Sequence, residues 1–191
     1  GLEYYPDGGA KALKEAIANV NQVPEERILV GAGLDDVIQI ISRSLLSPGD
    51  EIIVADPTFS QYELHAVIEG AKVVKVPVKQ SSGEMDLEAM LEAITAKTKI
   101  IWLCNPNNPT GTYLPQSLIR AFIEKVPTDV LVISDEAYQE YVTDEAISTS
   151  LPLLETLSNI IVMRTFSKAY GLAGLRIGYA IIPTTVSRAF D

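Results

Sequence analysis

The chain is 191 residues long, 47% hydrophobic and 21% charged, which suits one globular domain with a full core and excludes a disordered chain. Its formal net charge of −10 is carried by interleaved acidic and basic residues, so nucleic acid is not an expected partner and a small anion would need a local positive pocket. A single cysteine, Cys104, excludes an intramolecular disulfide and points to a reducing, cytoplasmic setting, while no apolar run approaches the roughly 18 residues of a membrane span.

After "YYPDGG" (residues 4–9), "RILV" (Arg27–Val30) reads as a short strand. Val37, Ile40, Ile41 and Leu45 then fall at helical spacing in a helix predicted over Asp36–Leu46 and stopped by "SPGD". Between them lies "GAGLDD" (Gly31–Asp36). Its glycines allow backbone N–H groups to approach a ligand, and a helix N-terminus favours an anion. Asp36 stands where a dinucleotide fingerprint has its third glycine, and G-x-x-x-x-G-K-[ST] is absent, so nicotinamide and nucleoside triphosphate chemistry lack their usual motifs.

"EIIVA" is the next strand, and a helix is predicted after Thr58. Phe59 is either a core aromatic or a flat face laid over a ligand ring. His65, the only histidine, reads as a solvated or structural residue; with no histidine or cysteine partners a transition-metal site is not expected. "KVVKVPV" precedes a helix opening near Asp86, and "KIIWLC", which holds Cys104 as buried packing, precedes one near Pro115. In between, "NPNNPTG" (Asn105–Gly111) is either a loop that caps its own backbone or a rigid mount from which Asn108 donates to a ligand oxygen.

"DVLVIS" ends on Asp135, at the tip of an otherwise apolar strand. A carboxylate there is costly unless paired, so a cationic partner is expected. Two roles are open: N-cap of a helix starting at Glu136, or a carboxylate facing the protonated ring nitrogen of an aromatic cofactor. Tyr138 either presents its hydroxyl to the same pocket or packs. "NIIVMR" is the sixth strand and runs into "TFSKAYGLAGLR", where Lys168 is either a solvated charge or a positioned amine. Thr165, Ser167 and Arg176 offer further donors, and Arg176 has the fork geometry for phosphate oxygens.

Repeated strand, loop and helix with near-continuous apolar strands predicts a three-layer α/β/α fold around a mostly parallel sheet. Ligands in such sheets lie at the carboxyl ends of the strands, where all of these unusual residues fall. No repeat, low-complexity tract or linker divides residues 1–191, which read as one domain.

"NNPTG", "DEAY" with Asp135 27 residues beyond Asn108, and "SKAYGLAGLR" with Lys168 and Arg176 eight apart together resemble the class I/II, fold type I family of pyridoxal-phosphate aminotransferases. The resemblance runs from "YYPDGG" to "GLAGLRIGY" and is strongest to the branch that acts on histidinol phosphate. It implies the large domain of that fold and pyridoxal 5'-phosphate as cofactor. Lys168 would be the Schiff-base lysine, Asp135 would stabilise the pyridinium, and Asn108 and Tyr138 would hydrogen-bond the ring hydroxyl. Phe59 would stack on the ring, and Gly33, Leu34, Asp35, Thr165, Ser167 and Arg176 would hold the phosphate. Lys168, Asp135 and Tyr138 would carry catalysis, and Tyr5 would reach the phosphate of the partner subunit in a homodimer.

The implied reaction passes the amino group of an amino acid or amino-alcohol phosphate to a 2-oxo acid: histidinol phosphate to 2-oxoglutarate, in histidine biosynthesis. Aromatic aminotransfer and decarboxylation of a phosphorylated amino acid are alternatives on the same scaffold. A noncatalytic binding module is a third, against which the pairing of Lys168 with Asp135 argues, since a pure binder needs no covalent lysine. "GAGLDD" lacks the polar residue that relatives often carry after the first glycine, so backbone contacts should do more there. By the resemblance, the family's N-terminal arm and smaller C-terminal domain, with its carboxylate-binding arginine, are expected to lie outside this chain. The expectation is a cofactor-binding large domain that turns over poorly by itself.

Overall fold

The computed structural model describes residues 5, 7–143 and 149–190, so Tyr4 and Pro6 of "YYPDGG" lie outside the described residues. In chain order the elements are α1 (Lys11–Asn21), β1 (Ile28–Gly31), α2 (Leu34–Leu45), β2 (Glu51–Asp56), α3 (Gln61–Ile68) and β3 (Lys72–Pro77). There follow α4 (Leu87–Glu92), β4 (Thr98–Cys104), α5 (Gln116–Ile123), β5 (Leu131–Asp135), β6 (Ile160–Thr165) and β7 (Gly178–Ile181). Seven strands form one sheet in the order β1-β7-β6-β5-β4-β2-β3. All pairs from β3 to β6 are parallel, and β7 runs antiparallel to both β1 and β6.

Strand alternation builds the two cores. Ile100, Trp102 and Cys104 of β4 face Val37, Ile38 and Ile41 of α2 and Tyr62 and Ala66 of α3. Ile101 and Leu103 face the other way, into a cluster with Ile17 of α1, Met90 of α4 and Ile119, Phe122 and Ile123 of α5. Two helical layers therefore cover a sheet apolar on both faces, as the predicted three-layer architecture requires. Val37, Ile38 and Ile41 are fully buried, each worth about 1.5–3 kcal/mol of apolar transfer.

The helix boundaries have local causes. The Asp86 carboxylate accepts from the Ala89 N–H at 3.2 Å and caps α4. Pro115, at φ −65°, leads into α5, and α2 begins at Leu34, two residues ahead of the predicted start, because Gly33 at φ 86° turns the chain into it. Three predictions need correction. Neither α1 nor β7 is among the sequence-predicted elements; "GYAI" is four residues opening on glycine, and its strand form comes from pairing on both sides. Among the described residues no α-helix follows β5, and the chain makes 3₁₀ turns at Gln139–Tyr141 and Leu151–Glu155 instead. No helix among the described residues is long and apolar enough to cross a membrane.

Candidate functional site

A cavity of about 330 Å³ opens at the carboxyl ends of the strands. The turn after β1 brings Leu34 and Asp35 to it, and the turn after β2 brings Phe59. The β4 end adds Cys104 and Asn108, the β5 end Asp135 and Tyr138, and the long connection from β6 to β7 adds Thr165, Ser167, Lys168 and Arg176. Ten of the twelve sequence-predicted site residues thus line one space. Gly33 does not line it but is buried directly behind Arg176. Tyr5 stands fully exposed and outside it.

One end of the cavity suits an anion. α2 points its N-terminus there, with first-turn N–H groups that have no intrahelical acceptor. The glycines themselves contribute less than their motif predicts. The Ala32 N–H donates to Asp36 Oδ2 at 2.8 Å and the Gly33 N–H to the Gly31 carbonyl at 2.8 Å, so the donors left open begin at Leu34. The aspartate in place of a third glycine is therefore a loop fastener. Arg176 donates to the Ala32 carbonyl at 3.3 Å and the Ala173 carbonyl at 3.2 Å, which holds its guanidinium beside the start of α2. The Ser167 N–H donates to Thr165 Oγ1 at 3.1 Å, and Thr165 donates to the Ile177 carbonyl at 3.4 Å, which shapes the turn leading to Lys168. Gly178 on β7 permits the close approach of these parts: a Cβ there would lie 2.6 Å from the Leu34 nitrogen.

The other end is built around Asp135, only 3% exposed. Its Oδ1 accepts from the Ala137 N–H at 3.0 Å and its Oδ2 from the Tyr62 hydroxyl at 2.5 Å. The Ala137 bond closes a tight turn and not a helix, which corrects the N-cap reading. The expected cationic partner is also absent: among the described residues no lysine or arginine pairs with this carboxylate. Burial pushes its pKa up to about 6, with Tyr62 and Ala137 pulling it back and Glu136 and Asp35 adding to the rise.

The asparagines divide the two roles open for their loop. Asn105 exchanges hydrogen bonds with the main chain of Leu114, and Asn107 donates to the Pro57 carbonyl and Thr110. Those two cap the loop, and Asn108, outside that bonding, lines the cavity. Phe59 is half-buried and edge-on to Tyr62, with centroids 5.6 Å apart. The exposed Lys168 amine lies 5.5 Å from the centre of the Tyr138 ring. Cys104 packs as expected and also floors the cavity; burial and the Asp135 charge push its thiol up to about 12, so it stays neutral.

Two features escape the sequence. Tyr62 sits on the buried face of α3 four residues before Ala66, which reads as ordinary core; only its hydroxyl partner reveals more. Glu136, 2% exposed, accepts two bonds from Arg164, at 3.2 and 2.9 Å, and others from Thr149 and the Ser150 N–H, and so ties the 149–151 segment to the ends of β5 and β6. Two side chains far apart in sequence leave no periodic signal.

The arrangement can hold an anion at one end, a planar cation against a carboxylate at the other, and an amine between. The model of the aminotransferase class I and II family matches residues 1–191. The chain is 56% identical over 177 residues to histidinol-phosphate aminotransferase 1 of Bacillus cereus, covering 93% of this chain and 47% of that one. It is 50% identical over 190 residues to the histidinol-phosphate aminotransferase of Geobacillus thermodenitrificans, covering 100% of this chain and 52% of the relative. The crystal structure of the Sinorhizobium meliloti histidinol-phosphate aminotransferase in complex with pyridoxal-5'-phosphate superposes with a TM-score of 0.88 at 32% identity, over 98% of this chain and 50% of that one. The chain thus spans about half the length of the relatives it matches, and along that span it belongs to the class I and II aminotransferase family.

Proposed function

We propose that this chain is the pyridoxal-phosphate-binding large domain of an aminotransferase that passes the amino group of histidinol phosphate to 2-oxoglutarate. The observation that carries the reading is Asp135: a buried carboxylate with no cation paired to it among the described residues, opening on the cavity that also holds an amine, a guanidinium and a helix N-terminus. That donor set fits pyridoxal phosphate from end to end, and the names of the relatives support histidinol phosphate as the amino donor.

Pyridoxal phosphate, when bound, supplies an aldehyde that an amine can join and a protonated ring into which the electrons of a substrate carbanion spread. Arg176, Ser167, Thr165 and the first turn of α2 would hold the phosphate. Asp135 would hold the proton on the ring nitrogen, Asn108 and Tyr138 would donate to the ring hydroxyl, and Phe59 would cover a ring face. Lys168 Nζ, the one lysine amine lining the cavity among the described residues, would be the covalent attachment point and the carrier that takes and returns the substrate proton. Tyr5, exposed and outside its own cavity, is assigned to the phosphate site of a second copy in a homodimer. The lone buried cysteine fits a cytoplasmic protein.

The test is an amino-transfer assay on the protein that carries this sequence, with 2-oxoglutarate as acceptor. Histidinol phosphate should give the highest kcat/KM, well above phenylalanine or tyrosine. A preference for an aromatic donor, or release of carbon dioxide from a phosphorylated amino acid without glutamate formation, would contradict the assignment.

A further inference from the structure

Tyr62 is fully buried and touches two of the groups assigned to the cofactor ring, Asp135 and Phe59. Its ring stacks on Trp102, with centroids 4.6 Å apart and planes 12° from parallel, and meets Phe59 edge-on at 80°. Its hydroxyl donates to Asp135 Oδ2, the only side-chain hydrogen bond to that carboxylate among the described residues. We infer that Tyr62 is a positioning residue for the reaction proposed above: one buried side chain fixes where Asp135 and Phe59 stand and how readily that carboxylate carries charge.

The physical basis is the asymmetry of buried hydrogen bonds. A donor aimed at a desolvated carboxylate stabilises the charged form far more than the neutral one. Without the hydroxyl, Asp135 keeps one backbone donor. The other titratable and charged groups around it give no comparable help. Cys104 on β4 is a neutral thiol, and Glu136 and Asp35 are acidic and oppose ionisation. Lys168 and Arg176 border the cavity without pairing to Asp135. The stack on Trp102 makes the hydroxyl separable from the packing, because phenylalanine keeps the ring and loses only the oxygen.

The inference rests on the cofactor reading, and its test separates the two. Pyridoxal phosphate affinity is measured by absorbance from pH 5 to 8.5 for the wild-type protein, Tyr62→Phe, Asp135→Asn and the double variant. Phosphate and lysine titrations are common to all four, so differences belong to the Asp135 pair. Wild-type affinity should fall as pH drops through about 6, where Asp135 takes up its proton. In Tyr62→Phe that fall should begin about one pH unit higher, leaving affinity about fivefold weaker at pH 6 and approaching about tenfold weaker at pH 5. In the Asp135→Asn background, Tyr62→Phe should move no pH step. An unchanged profile in Tyr62→Phe, or an equal displacement with and without Asp135, would overturn the inference and leave the cofactor reading intact; a wild-type protein that binds no cofactor would overturn both. In the ligand-free wild-type protein, the Tyr62 hydroxyl proton should be exchange-protected, with a resonance that follows the Asp135 carboxyl carbon in an NMR titration. Independent behaviour of the two signals would also count against the pairing.

Discussion

Asp135 is held at a cost to the ligand-free fold. With its pKa raised from 3.8 to about 6, the folded chain binds this proton more tightly than the unfolded chain, so its stabilising contribution is complete below pH 4 and is lost as pH rises through 6. The penalty at neutral pH is at most about 3 kcal/mol, since each tenfold change in acidity is worth about 1.4 kcal/mol. Asp135→Asn removes the buried charge, and the Tyr62 hydroxyl can turn to accept from the new amide. The ligand-free variant should therefore be as stable as wild type or more so at pH 8, less advantaged at pH 4, and weaker in pyridoxal phosphate binding. Urea unfolding at the two pH values checks this; a variant that loses several kcal/mol at pH 8 would mean that the carboxylate is a structural element. Sequence alone shows an acid at an apolar strand tip, enough to flag Asp135. It does not show that no lysine or arginine among the described residues pairs with it, because that depends on what the fold brings near.

At the scale of elements, the anion end of the cavity depends on β7 lying against the start of α2. Gly178 is what allows it. In Gly178→Ala the new methyl would meet the backbone of Gly33 and Leu34, which cannot rotate away as a side chain can. Overpacking of this kind costs about 1–3 kcal/mol, and here it should also displace the donors at Leu34, so that phosphate and pyridoxal phosphate both bind more weakly. Chemical unfolding and a phosphate titration measure the two effects; a neutral result in both would show that α2 and β7 are not in the contact described. This element was the hardest to read from sequence. The six strands with apolar runs, and the helices with i, i+4 spacing, announce themselves by period. β7 is short, begins on glycine, and is a strand only because β1 and β6 stand on either side. The motif "GAGLDD" was legible as an anion site, yet the use of the Ala32 and Gly33 N–H groups inside the loop follows from turn geometry that the letters do not carry.

In the whole molecule, chemistry is concentrated at one edge of the sheet. The turns after β1, β2, β4, β5 and β6 all deliver residues to a single cavity, although those residues span from Leu34 to Arg176 in the chain. The parallel order of β2, β4, β5 and β6 explains this, since parallel strands put all their carboxyl ends on the same side. That convergence was predictable once the strands were, and with it most of the site; Tyr5 stands exposed and outside the cavity. The central claim is that Lys168 and Asp135 flank one pyridoxal phosphate, and the most direct measurement is reduction of the loaded protein with borohydride followed by peptide mass analysis. The wild-type chain should show a visible absorption band that borohydride abolishes, leaving a stable pyridoxyl mass on the peptide containing Lys168. Lys168→Ala should bind the cofactor without any trapped mass, because the phosphate and ring contacts remain. A pyridoxyl group recovered on another lysine, or trapped equally in Lys168→Ala, would contradict the account.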